Sequence, residues 1–423
     1  MDSVQLGDDI AYTGTVRMSA DGLTIAVTDY QEDSGGLLDA GAVRVFQYSD
    51  GSWEQMGSTI VGSNAYDYAG WGLSLSDDGL SLVVGFPGEA MYRGGDYGVV
   101  RAYTWDSDSA EWVQRGADIY QPGTTSSTTF GRRAAFGGTN DVLILGTSSW
   151  FARYEWTGDA WESVGSASSH STSSYPDIDV RGDVVLAGPC NSGFEWNGVG
   201  WDYLGFNNCY SRGGYGSSDT RSLDLARVHD EERGDYFVRL YGGYNNSRQR
   251  GPRILGGYGQ DTSSSYRLFW NDSTSGSYWT YGETSALDAS ASTMLISGPG
   301  YVRNSDGSNI GRVDILRRES DSYVGSWQVI HTVYGDTDEA LGSSIRDRGR
   351  GADMSANGDR FVVQTSTGAT RVYQLQEGDP YDLDTDGDGA PDTCNADCLA
   401  AGMSADTDDD GDGIADVDDA DAD

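Results

Sequence analysis

Short apolar runs alternating with polar residues set the pattern of this chain, and no stretch carries the spacing of an amphipathic helix. One unit recurs with a period of about 40 to 65 residues over roughly the first 380 positions. Each copy opens with a turn and an apolar strand, at 18–27, 75–84, 140–145, 182–187, 234–238, 292–297 and 357–363. An alternating strand follows at 43–48, 99–103, 152–156, 266–270, 311–316 and 370–373. The third part is led by a tryptophan, at Trp53, Trp112, Trp161, Trp201, Trp279 and Trp327, often with a glycine four residues later. The seventh unit lacks this last strand. The chain, however, opens with Val4-Gln-Leu-Gly7-Asp-Asp-Ile10, which reads like Glu54-Gln-Met-Gly57-Ser-Thr-Ile60. A strand missing at one end and an orphan copy at the other predict an all-β, seven-bladed β-propeller over residues 1–378, its last blade completed by strand 1–10. Such closure removes exposed sheet edges. The fifth unit is the least regular, with Trp201 and Trp279 far apart, so six or eight blades are the alternatives.

The second unit is the fullest copy. It runs Gly70-Trp-Gly72-Leu-Ser-Leu-Ser-Asp-Asp-Gly79-Leu-Ser-Leu-Val-Val-Gly-Phe-Pro87-Gly88, with Gly95 and Gly98-Val-Val-Arg-Ala-Tyr103 downstream. This stretch resembles the FG-GAP repeat of integrin alpha-chain propellers and their bacterial relatives. Phe130-Gly131 and Gly298-Pro299-Gly300 keep fragments of the same pattern. The resemblance implies a propeller fold and a general adhesive or scaffold role. The family's calcium loops within blades need alternating acids before the glycine. Asp77-Asp78-Gly79 lacks that spacing, so no blade calcium site is expected.

Composition changes over 379–423, where one loop pattern appears twice: Asp384-Thr-Asp386-Gly-Asp388-Gly389-Ala390-Pro-Asp392 and Asp408-Asp-Asp410-Gly-Asp412-Gly413-Ile414-Ala-Asp416. Carboxylates at loop positions 1, 3 and 5, a turn glycine at 6, a main-chain carbonyl at 7 (Ala390, Ile414) and an acid at 9 converge on a hard, oxygen-seeking Ca2+. Position 12 is Asp419 in the second loop and Asn395 in the first, so neither has the bidentate glutamate of a tight EF-hand. These loops resemble thrombospondin type 3 repeats, which implies a calcium-binding stalk with little regular secondary structure. Cys394 and Cys398 fit the cysteine-stapled versions of that module. The competing reading is a solvated acidic tail. Without calcium, self-repulsion leaves the segment disordered.

The formal charge of −39 argues against binding nucleic acid or anionic membrane through general electrostatics. All 27 basic residues are arginine. A GC-rich genome, a saline medium and selection against a reactive amine compete as explanations. Whichever holds, Schiff-base and P-loop lysine chemistry are excluded. Cys190 with Cys209 and Cys394 with Cys398 form two local pairs, predicting two disulfides and an oxidising, extracellular compartment. Asn245 and Asn271 begin N-glycosylation sequons. No signal peptide or membrane-length apolar stretch is present, so secretion implies either that Met1 is not the start of the precursor or that the chain is a fragment.

Little points to catalysis. His170, His229 and His331 fall in different units, which leaves little for a zinc site or a triad, although blade tops can bring distant residues together. Ser19-Ala-Asp21-Gly22 and Ser76-Asp-Asp78-Gly79 are one residue short of a sialidase Asp-box. The two Arg-Gly-Asp tripeptides, at 181–183 and 233–235, occupy the turn slot filled elsewhere by Asp21-Gly22, where geometry demands those residues. Arg248, Arg250 and Arg253, and Arg346, Arg348 and Arg350, form basic clusters that read either as solvated loops or as seats for an acidic partner. Tyr66, Tyr68, Trp71, Tyr92 and Tyr97 gather in the second unit's loops, as a sugar-stacking platform or as wedges between blades. The expected function is therefore non-catalytic: adhesion or extracellular structure at a cell surface, including a repeating subunit of a filament or surface layer. The partners would be protein, glycan or copies of the chain. The alternatives are a carbohydrate- or protein-binding module and, behind it, a propeller hydrolase or lyase.

Overall fold

The computed structural model describes residues 2–376 apart from 13, 89–97, 122–129, 138, 148–149, 169–177, 182–183, 188–191, 204–219, 231–233, 244–252, 259–264, 268–283, 299–309, 319–326, 337–338 and 343–350. Every regular element among them is a strand. The chain divides into two compact units, Gln5–Tyr373 and a second made of Met1–Val4 with Gln374–Asp423.

The described strands form seven sheets. The first holds β2 (Thr15–Met18), β3 (Thr24–Asp29), β4 (Ala42–Ser49) and β5 (Ser52–Gln55), with β6 (Ile60–Val61) returning to β4. The second repeats that plan with β7 (Leu73–Leu75), β8 (Ser81–Phe86), β9 (Val99–Asp106), β10 (Glu111–Gln114) and β11 (Ile119–Tyr120). The third runs β12 (Arg133–Phe136), β13 (Val142–Gly146), β14 (Trp150–Trp156), β15 (Trp161–Ser168). The fourth runs β16 (Ile178–Arg181), β17 (Val184–Ala187), β18 (Ser192–Trp196), β19 (Trp201–Tyr203). In the fifth stand β20 (Thr220–Asp230), β21 (Gly234–Gly243), β22 (Arg253–Tyr258) and β23 (Ser265–Arg267). The sixth has β24 (Ser285–Leu287), β25 (Thr293–Ser297), β26 (Arg312–Arg318) and β27 (Trp327–Tyr334). The seventh combines β28 (Ala352–Met354), β29 (Arg360–Gln364) and β30 (Thr370–Gln376) with β1 (Asp2–Gln5), the one strand that comes from elsewhere in the sequence.

Sequence periodicity finds three strands per unit where the structure has four. The missed strand is the first of each sheet, often three or four residues long, with its middle residue half-exposed in β2, β7 and β28. These first strands neighbour one another in succession: β2 beside β7, β7 beside β12, β12 beside β16, β16 beside β20, β20 beside β24, β24 beside β28, and β28 beside β2. The fifth unit needs a second correction. Residues 266–270 read as its alternating third strand, but β22 takes that place and Tyr266 and Arg267 belong to the outer strand β23. The glycine pair inside Arg253–Tyr258 hides the alternation of β22.

In the first three sheets the second strand is the apolar run because sheets cover it on both faces. In β8, Leu82 and Val84 pack with Val43 and Val45 of the first sheet, while Val83 packs with Leu143 and Leu145 of the third. Val16, Ile25 and Val27 pack with Val362 and Val372 of the seventh sheet, and Ile10 joins them. Each fully buried Leu, Val or Phe contributes about 1.5–3 kcal/mol.

The turns joining first to second strands form a rail of main-chain bonds. Ala289 N donates to Ala356 O at 3.0 Å, Ala356 N to Ala20 O at 2.9 Å, and Ala20 N to Asp77 O at 2.9 Å. Within each turn a serine and a carboxylate or amide hold the reversal. Ser19 Oγ donates to Asp21 Oδ1, whose oxygen also accepts from Leu23 N, and Ser76 and Asp78 do the same with Leu80 N. Ser355 donates to Asn357. In the sixth sheet the two roles are exchanged. Asp288 stands first and accepts from Ser290 Oγ, Ser292 Oγ and Thr293 N. Of the two Arg-Gly-Asp tripeptides, Arg181 ends β16 and Gly234 and Asp235 open β21, while Gly182, Asp183 and Arg233 lie outside the described residues.

Candidate functional site

The feature of this fold with most to say about function is the seam where Gln5–Ile10 meets β30. Main-chain bonds set its register: Leu6 N donates to Val372 O at 2.8 Å, Ile10 N to Thr370 O at 3.0 Å, and Thr370 N to Ile10 O at 2.8 Å. The first two sheets show the same arrangement from continuous chain. There Met56 N meets Val45 O and Arg115 N meets Ala102 O, while Ile60 pairs with Val43 and Ile119 with Val100.

Side chains repeat as closely as the backbone. Gln5 Nε2 donates to Gly7 O at 3.1 Å and Asp9 Oδ1 at 2.9 Å; Gln114 Nε2 does so to Gly116 O at 3.1 Å and Asp118 Oδ1 at 3.0 Å; Gln55 Nε2 bonds Gly57 O and Thr59 Oγ1. The carbonyl just before each glycine accepts the indole N–H of the next sheet's tryptophan. Trp53 bonds Leu6 O at 2.7 Å, Trp112 bonds Met56 O at 3.0 Å and Trp161 bonds Arg115 O at 2.9 Å. At Trp201 the pattern breaks. A register shift in the β14–β15 pair leaves Val164 without a partner, and the buried Trp201 Nε1 has no bond.

At two of the described seams an arginine on the third strand makes the lock. Arg371 makes a two-pronged bond to Asp9, at 2.8 and 2.9 Å, and reaches Glu339 at 2.8 Å. Arg101 holds Asp118 in the same bidentate way and lies over Phe86, 4.4 Å from the ring centre. Arg44, where position 59 is threonine, turns to Glu32 instead and covers Tyr12 at 4.0 Å. Arg153 and Arg312 use acids two residues along their own strands, Glu155 and the fully buried Asp314. This is the planar, forked geometry that a lysine cannot reproduce. The Arg371 hydrogen bond holds the Asp9 carboxyl below its ordinary value, and the Arg101 bond does the same for Asp118. Burial pushes Glu339 up, but hydrogen bonds from Thr367 and Thr365 and the Arg371 charge outweigh it and leave the carboxyl lowered.

The aromatic loop cluster packs on itself. Trp71 stacks on Tyr30 at 4.6 Å with the Arg132 guanidinium 3.9 Å from its ring centre, and Tyr68 meets its edge at 5.5 Å. With Tyr30 and Arg132 both against it, the ring serves as a wedge between sheets more than as a platform for sugar. Tyr66 and Tyr68 flank the buried Asp67 in left-handed backbone, φ 64° and 54°, while Asp67 accepts from Asn64 N at 2.7 Å. Tyr92 and Tyr97 lie outside the described residues.

The remaining candidates are placed as follows. All calcium-loop residues, Asp384, Asp386, Asp388, Ala390, Asp392, Asp408, Asp410, Asp412, Ile414, Asp416 and Asp419, lie outside the described residues, as do Cys190, Cys209, Cys394, Cys398, Asn245 and Asn271. His170 and the clusters around Arg248 and Arg346 also lie outside, although Arg253 begins β22. His229 stands on β20 and His331 on β27, in different sheets. Among the described residues no group of three or more His, Cys, Asp or Glu side chains is arranged to hold a metal, and no helix is long and apolar enough to cross a membrane. The seam residues Gln5, Asp9, Trp53 and Arg371 were missed as a set. The repetition of Gln-x-Gly at 5, 55 and 114 is the signal that finds them.

Taken together, the four-stranded antiparallel sheets and their packing define an all-β protein of the β-propeller fold. The chain is similar to the solved β-propeller domain of Cps50 (Swd1) from Myceliophteria thermophila, with a TM-score of 0.51 and 12% sequence identity, over 89% of this chain and 100% of that one. At this identity the likeness speaks for the fold alone. No protein-family model and no curated protein matches the chain, so the FG-GAP and thrombospondin type 3 likenesses rest on the quoted residues.

Proposed function

We propose that the chain is a secreted or cell-surface, non-catalytic protein serving adhesion or extracellular structure. In this reading residues 1–378 form a seven-bladed propeller closed by strand 1–10, and 379–423 form a calcium-bound stalk of the thrombospondin type 3 kind. Support for the closed head comes from the succession of first strands from β2 round to β28 and back, and from the repeat of the Gln-x-Gly seam at residues 5–7. Support for the FG-GAP affinity comes from Gly70, Gly131 and Gly342, all left-handed at φ 87°, 85° and 77°. Gly70 N bonds Gly85 O and Gly342 N bonds Gln364 O. A Cβ on Gly70 would lie 2.0 Å from Thr28 Oγ1, so glycine is required there.

The observation that carries the function is the join of this propeller to two Asp-x-Asp-x-Asp-Gly loops, a rigid head on a cation-stiffened spacer. A hydrolase or lyase is kept as the third reading. The chain is further proposed as a repeating subunit whose assembly depends on calcium. Light scattering and negative-stain imaging of the purified chain test this directly. Filaments or oligomers that dissolve on chelation are expected. A monomer at all concentrations, with and without calcium, overturns the subunit reading and leaves a binding head on a spacer, for which glycan arrays are the next experiment.

A further inference from the structure

We infer that the seat on β30 is an exchange site, filled in the assembled protein by the Gln5–Ile10 segment of a second copy of this chain. The inference rests on the subunit reading above and supplies its joint.

Three observations carry it. The segment and its seat are matched as ligand and site: Leu6 and Ile10 take the main-chain positions of Val372 and Thr370, Asp9 takes the Arg371 fork, and Leu6 O takes the Trp53 indole. All of these contacts use six consecutive residues, so another copy's segment would satisfy them identically. The seventh sheet is also the only one in the described structure whose strands are not consecutive in sequence, so its seam alone can exchange partner without tearing a hairpin.

The third observation concerns the connection. Between Ile10 and Thr15 there are only the four residues 11–14, against twelve (61–72) between Ile60 and Leu73 and thirteen (120–132) between Ile119 and Arg133. Gly14 within it has φ 153°, and a Cβ there would stand 1.5 Å from Thr28 O. A connection this short is the kind of hinge that favours swapping; extending it gives up the stack of Tyr12 on Phe46 and the cover of Arg44, while a partner's segment restores the bonds of Leu6, Asp9 and Ile10. Heterologous donation of this sort, from each copy to the next, propagates as a chain of subunits unless its rotation closes a ring.

The test uses the full chain with one cysteine added at either member of the facing pair, Ile10→Cys or Thr370→Cys, each in its own preparation. On mixing under mild oxidation, the expected product is a covalent dimer that joins one variant to the other, absent when either variant is oxidised alone. The double variant Ile10→Cys/Thr370→Cys is expected to give a ladder at high concentration and closed monomer on dilution. Lengthening 11–14 with a Gly/Ser linker is expected to shift that ladder to monomer. No mixed dimer, together with closed monomer from the double variant at every concentration, overturns the inference. Light scattering on the same samples separates the two claims. Calcium-dependent assembly without a mixed dimer sinks strand exchange alone, whereas a mixed dimer without calcium dependence sinks the calcium-dependent subunit reading and leaves the exchange standing.

Discussion

At the scale of single residues, the seams show why arginine does work here that lysine does not. Arg312 and Asp314 sit two apart on β26, both buried, and Asp314 also accepts from Thr332 Oγ1 at 2.7 Å. Asp314→Ala strips the guanidinium of its carboxylate, and a loss of about 3–5 kcal/mol is expected from chemical denaturation, with Asp314→Asn intermediate. Trp112→Phe keeps most of the apolar area but deletes the N–H that Met56 O accepts, for an expected cost of about 1 kcal/mol or somewhat more. Gly70→Ala places a side chain where backbone and Thr28 both forbid it. More than about 1 kcal/mol is expected, read as a lower melting temperature. Sequence alone makes the tryptophans visible, through their recurrence, but not their bonds. The acceptors are carbonyls some fifty residues away, which carry no residue-type signature.

Elements show the converse. Second strands such as β8 are legible because a strand covered on both faces is largely apolar, and β8 is buried at every position. First strands such as Leu73–Leu75 escape because three residues cannot establish a period. The orphan segment 4–10 was readable as a displaced outer strand because Gln, Gly and Ile keep their spacing, and the observed bonds of Leu6 and Ile10 reproduce that register. Its ionic lock predicts an acid response. Asp9 and Glu339 are held below their ordinary values of 3.8 and 4.5. Their contribution is therefore complete above those values and is lost as pH falls through the depressed ones. Hydrogen exchange of Leu6 and Ile10 amides, followed from pH 6 downward through about pH 4 and below, is expected to accelerate before that of β8. Arg371→Ala is expected to remove the difference. Equal protection of both at every pH would mean that the lock does not govern the strand.

For the molecule as a whole, repeat counting reached the fold class. It did not reach the fifth sheet's strand order, where the glycines in Arg253–Tyr258 blur the alternation. The acidic tail, outside the described residues, is read from its motif alone. If its loops hold calcium, adding millimolar chelator to the full chain should change its hydrodynamic radius while leaving the melting of the propeller core nearly unchanged.

The choice of guanidinium over ammonium at every locked seam gives the protein an asymmetric tolerance. Arg44 and Arg371 are held above the ordinary arginine value by their carboxylate partners, so neither cation discharges in any ordinary base. The first displaced groups to oppose the fold on that side are phenols. Burial raises Tyr154 and Tyr373 above 10.0, so unfolding is favoured only once the exposed phenols of the unfolded chain begin to ionise. From above the carboxylate range to about pH 10, none of the described groups with a shifted pKa changes charge. A chain built this way would be at home in alkaline water and would come undone in acid.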